Sequence, residues 1–316
     1  VEIVKDAAPP GAGPGALAWT VMLILVVIWG SAFAAIRIGV ETIHPAWLVT
    51  FRLLVGAAFL LVWIGGERIV RGSKASWAAQ PAEKITTKAV LWYGGIGVFF
   101  TAIPFLMYAE AGVSVSSGVL AICNGGTPFF TALLAHAFVP GEGMTVRRMG
   151  GVALGFLGLA VLVWPEVNHG TSPAFWGLML GIFGAALYGC SNVAARMAPR
   201  LSATTSSLLI VAGGTLAMLV AAPLLAPFPA NPSWGSILSG LYLGLMPTGF
   251  SFVLWVWLIR HAGSVFTSFT TYLSPLWATA IGVMFLGEGL QWSMAAALAL
   301  IFAGVAVANR MPRRMT

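Results

Sequence analysis

The sequence predicts an all-α integral membrane protein whose ten transmembrane helices form two inverted five-helix repeats. Three observations lead there. Of 316 residues, 59% are hydrophobic and only 8% charged, with a mean hydropathy of +0.93, whereas a soluble domain carries roughly a quarter charged residues to face water. Ten apolar segments approach or exceed the ~20 helical residues that cross a ~30 Å hydrocarbon layer. Two of these segments also repeat, since Trp29–Arg37 reads WGSAFAAIR and Tyr188–Arg196 reads YGCSNVAAR.

Positions 1–16, with Pro9, Pro10 and Pro14, are too polar for the core of a signal peptide and are expected to form a flexible tail. The first span, 17–38, then serves as its own insertion signal. Spans at 45–65, 87–109, 115–138 and 147–164 complete a first repeat over 17–164. An outward loop at 165–173 leads into the second repeat, 174–309, with spans at 174–195, 204–226, 234–259, 264–286 and 290–309, and a basic tail at 310–316 closes the chain. The apolar runs are continuous and lack the alternation of ~10-residue barrel strands, so helices are predicted throughout. The extent of the duplication follows from Gly141-Glu142-Gly143-Met144, which recurs as Gly287-Glu288-Gly289-Leu290. Phe156–Val161 faces Phe302–Val307 at the same 146-residue offset.

Placing the N-terminus in the cytoplasm puts fourteen of the sixteen Lys and Arg residues on the inner side, leaving only Arg37 and Arg52 within or at the outer ends of spans one and two. That asymmetry satisfies the positive-inside rule with both termini cytoplasmic, in a bacterial-type inner membrane. An odd number of spans per repeat makes the second copy enter from the opposite face, so Glu142 is expected inside and Glu288 outside. The basic excess is a matter of topology, and nucleic acid is not an expected partner. Cys123 and Cys190 both lie in apolar segments and imply no disulfide framework.

A charge at mid-membrane is costly and so marks function, and here no Asp or Glu falls near mid-span. Arg37 and Glu41 are spaced for a helical salt bridge. Arg52 is expected to snorkel outward or pair with Glu41. The chamber between the halves is therefore expected to be nearly uncharged, leaving neutral polar groups and helix breaks for recognition. In span four, Asn124, Gly125, Gly126 and Thr127 precede Pro128; in span nine, Thr271, Tyr272 and Ser274 precede Pro275. Each proline removes a helical hydrogen bond, and the freed carbonyls either line a wet path or belong to packed, kinked helices. Trp29 and Ser31 in span one, and Tyr188 and Asn192 in span six, lie in the repeat-related segments. Asn192 is either an inter-helix tie or a cavity donor. Trp29 and Trp255 offer packing or a stacking surface. Phe99 and Thr101 in span three and Pro247 and Thr248 in span eight are candidate gate positions. Trp47, Trp164, Trp176, Trp234 and Trp292 are expected as interfacial anchors.

Ten spans, an internal five-span duplication, the WGS-like first helix and a proline-broken helix before a Gly-Glu turn in each half together resemble the EamA branch of the drug/metabolite transporter superfamily. The resemblance runs from about Leu17 to Asn309. Within that branch the chain is most similar to YddG-type exporters of aromatic amino acids, through overall texture and its richness in Trp, Phe and Tyr. It implies alternating-access export of small amphipathic metabolites, aromatic or other neutral amino acids first, through a central apolar cavity, without a cofactor or metal. Lipophilic drugs are the alternative cargo. Phosphorylated solutes are disfavoured by the absence of a Lys or Arg assigned to the cavity. An intramembrane enzyme would need a nucleophile and base at one depth, and a non-transporting scaffold would not need matched helix breaks. The sequence leaves the oligomeric state open and is compatible with a monomer.

Overall fold

A computed structural model describes residues 15–71, 85–139, 145–167, 172–199 and 201–309. Both tails' outer positions, 1–14 and 310–316, and the Gly141–Met144 turn lie outside these. All regular structure among the described residues is helical: α1 (Ala16–Gly39), α2 (Pro45–Arg71), α3 (Thr87–Gly97), α4 (Ile103–Ser114), α5 (Ser117–Asn124), α6 (Thr127–Phe138), α7 (Val146–Val167), α8 (Pro173–Met197), α9 (Ala203–Leu225), α10 (Trp234–Leu243), α11 (Ser251–Leu286) and α12 (Trp292–Asn309). Local chemistry sets several of the ends. Thr86, Ser116, Ser172, Ser202 and Ser233 each accept a bond from an amide in the first turn of the following helix, satisfying donors that apolar surroundings would strand. Gly287, at φ 64°, closes α11 in the left-handed conformation that glycine adopts without strain.

Among the described residues, eight helical stretches are long and apolar enough to cross a membrane, with Thr270–Leu286 and Trp292–Val307 as shorter apolar helices. The spans around α3–α4 and α10–α11 are each interrupted by a π-helical turn, at Val98–Ala102 and Gly244–Phe250. The interruptions fall in the two stretches named as gate candidates. In the second, Pro247 has no N–H to give Leu243, and the Thr248 hydroxyl donates to that carbonyl instead, at 2.8 Å.

Three pairs of corresponding spans pack against each other, and each pair runs antiparallel. Between α2 and α9, Trp47 donates to the Ala226 carbonyl and Thr50 to that of Met218, while Leu53 lies against Gly214. Between α7 and α12, Gly150 faces Val307, Gly151 and Gly155 face Gly304, and Gly158 faces Ala297. Small residues here let two backbones close in where lipid supplies no hydrophobic drive. Gly118 meets Thr279 and Gly125 meets Pro275, so the α5–α6 span opposes the end of α11. The wider packing is crossed in the same sense: α1 packs on α10 and α11 as α8 packs on α4 and α6, and α2 packs on the α10 span as α3 packs on α9.

The structure departs from the expected elements in three places. Spans eight and nine are not separated by a non-helical loop, because helical hydrogen bonding runs through α11. Ser251 accepts from the Trp29 indole at 2.9 Å, and the Ser274 carbonyl lies against Gly30. A straight helix would hold these serines about 34 Å apart at 1.5 Å per residue, so the run must double back between them, and a tight helical reversal replaces the loop. Second, Pro275 does not break its helix. The Thr270 and Ser274 hydroxyls donate to the carbonyls of Thr267 and Thr270, both at 2.7 Å, within a helix that runs on through Pro275. Of the Pro128 and Pro275 spans, the one that carries Pro128 is interrupted, between Asn124 and Thr127. Third, α7 continues through Pro165 to Val167 and α8 begins at Pro173, which shortens the predicted 165–173 loop; positions 168–171 lie outside the described residues.

Trp164, Trp176, Trp234 and Trp292 are exposed, as interfacial positions allow. Trp47 is spent on the α9 end, against Ala226 and the Phe228 ring.

Candidate functional site

The feature that organises the interior is Arg52. Its position, seven residues into α2, carries it about 10 Å along the helix, and the side chain is only 8% exposed. It neither snorkels nor pairs with Glu41, which is exposed. Its Nε donates to the Thr248 hydroxyl at 2.9 Å, and its guanidinium carbon sits 3.6 Å from the centroid of the Phe105 ring, a cation–π stack that offsets part of the cost of burial. Arg37 also departs from expectation. Among the described residues it forms no ion pair with Glu41 and donates to the Gly112 carbonyl at 3.1 Å.

Phe105 and Tyr188 meet edge to face at 6.2 Å, Tyr188 stacks on Tyr108 at 5.6 Å and 16°, and Phe33 meets Tyr108 at 6.0 Å. Tyr188 is close enough to Arg52 to interact with it electrostatically. Behind this group, the Tyr108 and Thr127 hydroxyls both donate to Asn124 Oδ1, each at 3.4 Å. The interruption after Asn124 places its amide carbonyl beside the aromatic rings. The group draws on α1, α2, α4 and α5–α6 from the first half, and on α8 and the π turn before α11 from the second. An aromatic wall, one guanidinium and a few hydroxyl and amide groups thus converge where the halves meet. Such a site suits a small solute with an aromatic body and a polar end. The expectation of an uncharged chamber fails here, and with it the ground for disfavouring anionic solutes.

Of the residues singled out from the sequence, Asn124, Thr127, Tyr188 and Thr248 belong to this constellation. Trp29 and Ser31 lie on the seam between α1 and α11, where Trp29 donates to Ser251 and Trp277 donates to Ser31, both at 2.9 Å. Trp255 packs in the same seam. Thr271, Tyr272 and Pro275 line a narrow gap with Gly125 against α12. Tyr272 also borders a cavity of about 120 Å³ with Pro128 and Arg148. Ser274 is buried and bonded within its own helix. Phe99 is 59% exposed and borders an apolar groove of about 430 Å³ on the flank of α3, α6 and α8; the π turn that follows Gly97 directs it outward, away from the aromatic group. Thr101 is half-buried in that turn. Asn192 is exposed and donates to the Thr131 hydroxyl at 3.1 Å, linking α8 to α6. Pro247 lies in the second π turn and Gly126 in the interruption of the α5–α6 span.

Arg52, expected to snorkel or pair with Glu41, and Phe33, Phe105 and Tyr108, which no sequence pattern marks, are the unexpected members. A signal for the first was present: no acidic residue stands three or four positions from Arg52, so nothing within its helix could neutralise it.

Comparison with known proteins bears on this arrangement. The family model described as "EamA-like transporter family" matches the chain twice, over residues 17–164 and 175–310. The chain belongs to that family. It is 25% identical over 272 residues to "Uncharacterized inner membrane transporter YedA" of Escherichia coli K12, covering 85% of this chain and 83% of the relative. It is 26% identical over 290 residues to the "Probable terminal-alkyne amino-acid exporter" of Streptantibioticus cattleyicolor, covering 92% of both. The "Probable amino-acid metabolite efflux pump" of Salmonella typhimurium is 26% identical over 293 residues, covering 90% of this chain and 91% of that one. One crystal structure superposes with a TM-score of 0.63 at 20% identity, covering 95% of this chain and 99% of its own, which speaks to the fold alone. Membership of the family makes this a transporter-type membrane protein.

Proposed function

We propose that the protein exports small amphipathic metabolites, with aromatic and other bulky neutral amino acids as first candidates in the manner of YddG-type exporters, by alternating access between two inverted five-span halves. The observation that carries the reading is the aromatic constellation around Tyr188 and Arg52, built from both halves at their junction. The antiparallel packing of corresponding spans supports the inversion, since exchanging the conformations of two inverted halves opens a shared site first to one face and then to the other. Two matches of one family model to one chain support the duplication, and the names of two relatives, an amino-acid exporter and an amino-acid metabolite efflux pump, support amino acids as cargo. Ten spans, a bacterial-type inner membrane and cytoplasmic termini complete the proposal. Lipophilic drugs remain the alternative cargo. Movement follows the solute gradient or exchange, because the described carboxylates of Glu41, Glu110 and Glu288 all stand at helix ends or in turns.

The test is counterflow of labelled L-phenylalanine and L-tryptophan into proteoliposomes. Tyr188→Ala is expected to reduce flux by about tenfold through loss of aromatic contact, whereas Asn192→Ala leaves it near the wild-type rate. Uptake driven by a pH gradient alone would remove the exchange mechanism. Equal fluxes for wild type and Tyr188→Ala would remove the site.

A further inference from the structure

We infer that Arg52 is the anchor for a carboxylate on the transported solute. The inference rests on the transport reading above and narrows it, from amphipathic metabolites in general to those bearing a carboxylate.

A lone guanidinium held in an apolar interior is costly unless a partner neutralises it. Among the described residues Arg52 forms no ion pair, and Thr248 takes one of its five N–H groups. The way that bond is made matters. The Thr248 hydroxyl gives its proton to the Leu243 carbonyl at 2.8 Å, so its oxygen faces Arg52 as an acceptor only, and the π turn around Pro247 sets its position. The Phe105 ring covers one face of the guanidinium. With Nε engaged and one face stacked, the two terminal nitrogens remain, and their edge presents parallel N–H groups at the spacing of carboxylate oxygens. Tyr188 meets the same Phe105 ring and stacks one face on Tyr108, so the aromatic cluster that covers the guanidinium continues into a surface suited to an aromatic body. The geometry therefore orders a solute with its carboxylate at Arg52 and its apolar portion along Tyr188. Four spans meet at the guanidinium: α2 and α4 from the first half, α8 and the π turn of the α10 span from the second. A bound carboxylate would neutralise a charge at the junction whose rearrangement alternating access requires.

The experiment measures binding to the purified full-length protein by ligand-induced thermal stabilisation, using L-phenylalanine, 3-phenylpropionate, L-phenylalaninamide and phenethylamine. Wild type is expected to bind the two carboxylates on the order of ten- to a hundredfold more tightly than the two compounds lacking one, the range of a charge-assisted pair. Arg52→Gln is expected to erase that preference, and Thr248→Val, which frees the guanidinium to turn, to weaken carboxylate binding severalfold. Wild type that prefers phenethylamine or shows no preference overturns the inference, whether or not Arg52→Gln folds. So does a folded Arg52→Gln that keeps the preference. Binding of 3-phenylpropionate without L-phenylalanine upholds Arg52 and sinks the amino-acid reading. L-Phenylalanine counterflow at the wild-type rate in Arg52→Gln does the reverse.

Discussion

Gly97→Leu is expected to prevent a stable fold. The side chain would enter the α3–α9 contact, where a Cβ on Gly97 would run into the Ile210 carbonyl and lie 2.8 Å from the Gly214 amide nitrogen. From the other side, a Cβ on Gly213 would lie 2.6 Å from the Gly94 carbonyl oxygen and 2.7 Å from its Cα. The obstacles are backbone atoms, which cannot turn aside as a flexible side chain would. Overpacking a yielding core costs about 1–3 kcal/mol, and a backbone obstacle places this substitution at or above the top of that range. The residue also abuts the π turn at Val98–Ala102, so any forced separation of α3 from α9 passes to the start of α4 and on to Phe105. Gly95→Ala is the matching control, because nothing lies within 4 Å of a Cβ there. Thermal unfolding of detergent-purified protein should show the leucine variant aggregated or strongly destabilised and the alanine variant close to wild type. A Gly97→Leu protein with wild-type stability would contradict the close approach of these helices.

Glu288→Ala carries the second large effect. The Glu288 carboxylate accepts from the Ser117 amide at 2.7 Å, the Ser117 hydroxyl at 2.8 Å and the Gly118 amide at 3.3 Å. It thereby caps the N-terminus of α5, where negative charge is favoured. Ser117 is fully buried, so removing the carboxylate leaves its groups without an acceptor. Each stranded donor costs about 1–3 kcal/mol, and the expected loss is about 2–4 kcal/mol after partial relaxation. The glycines around it make the contact possible: Gly287 turns the chain at positive φ, and Gly282 leaves room that a Cβ would deny to the carboxylate and to Ser117 Oγ. Since the turn after α11 and the start of α5 belong to different halves, the variant should also loosen one half from the other. A drop in unfolding temperature for Glu288→Ala, with Glu288→Gln intermediate, is the expected result; no change in either would show that the cap contributes nothing.

Much of this arrangement was legible in the residues. Helical spans follow from long apolar runs, and the interruption at Gly125-Gly126 before Pro128 appears where two flexible residues precede one that cannot donate. Spans three and eight stood out through Phe99 and Thr101 and through Pro247 and Thr248, and both carry π turns. What escaped depends on groups distant in sequence or on competing local bonds. Pro275 resembles Pro128 as a letter, yet its helix runs on unbroken, whereas the two glycines before Pro128 interrupt theirs. The reversal within α11 keeps its helical hydrogen bonds, so no run of loop-forming residues announces it. Arg52 lies close to the outer end of its span in sequence, where outward snorkelling is the ordinary outcome. Only the packing of α4, α8 and the π turn around it closes that route. Asn192 illustrates the converse, an amide conspicuous in an apolar segment whose partner is the neighbouring Thr131.

The inverted arrangement of the halves is the claim on which transport depends, and side-specific labelling tests it most directly. In a background with Cys123 and Cys190 replaced by alanine, single cysteines at Gly143 and Gly289 would be treated with a membrane-impermeant maleimide in intact spheroplasts and in inverted vesicles. The account predicts that position 289 labels only in spheroplasts and position 143 only in inverted vesicles. Labelling of both positions from the same side would contradict it.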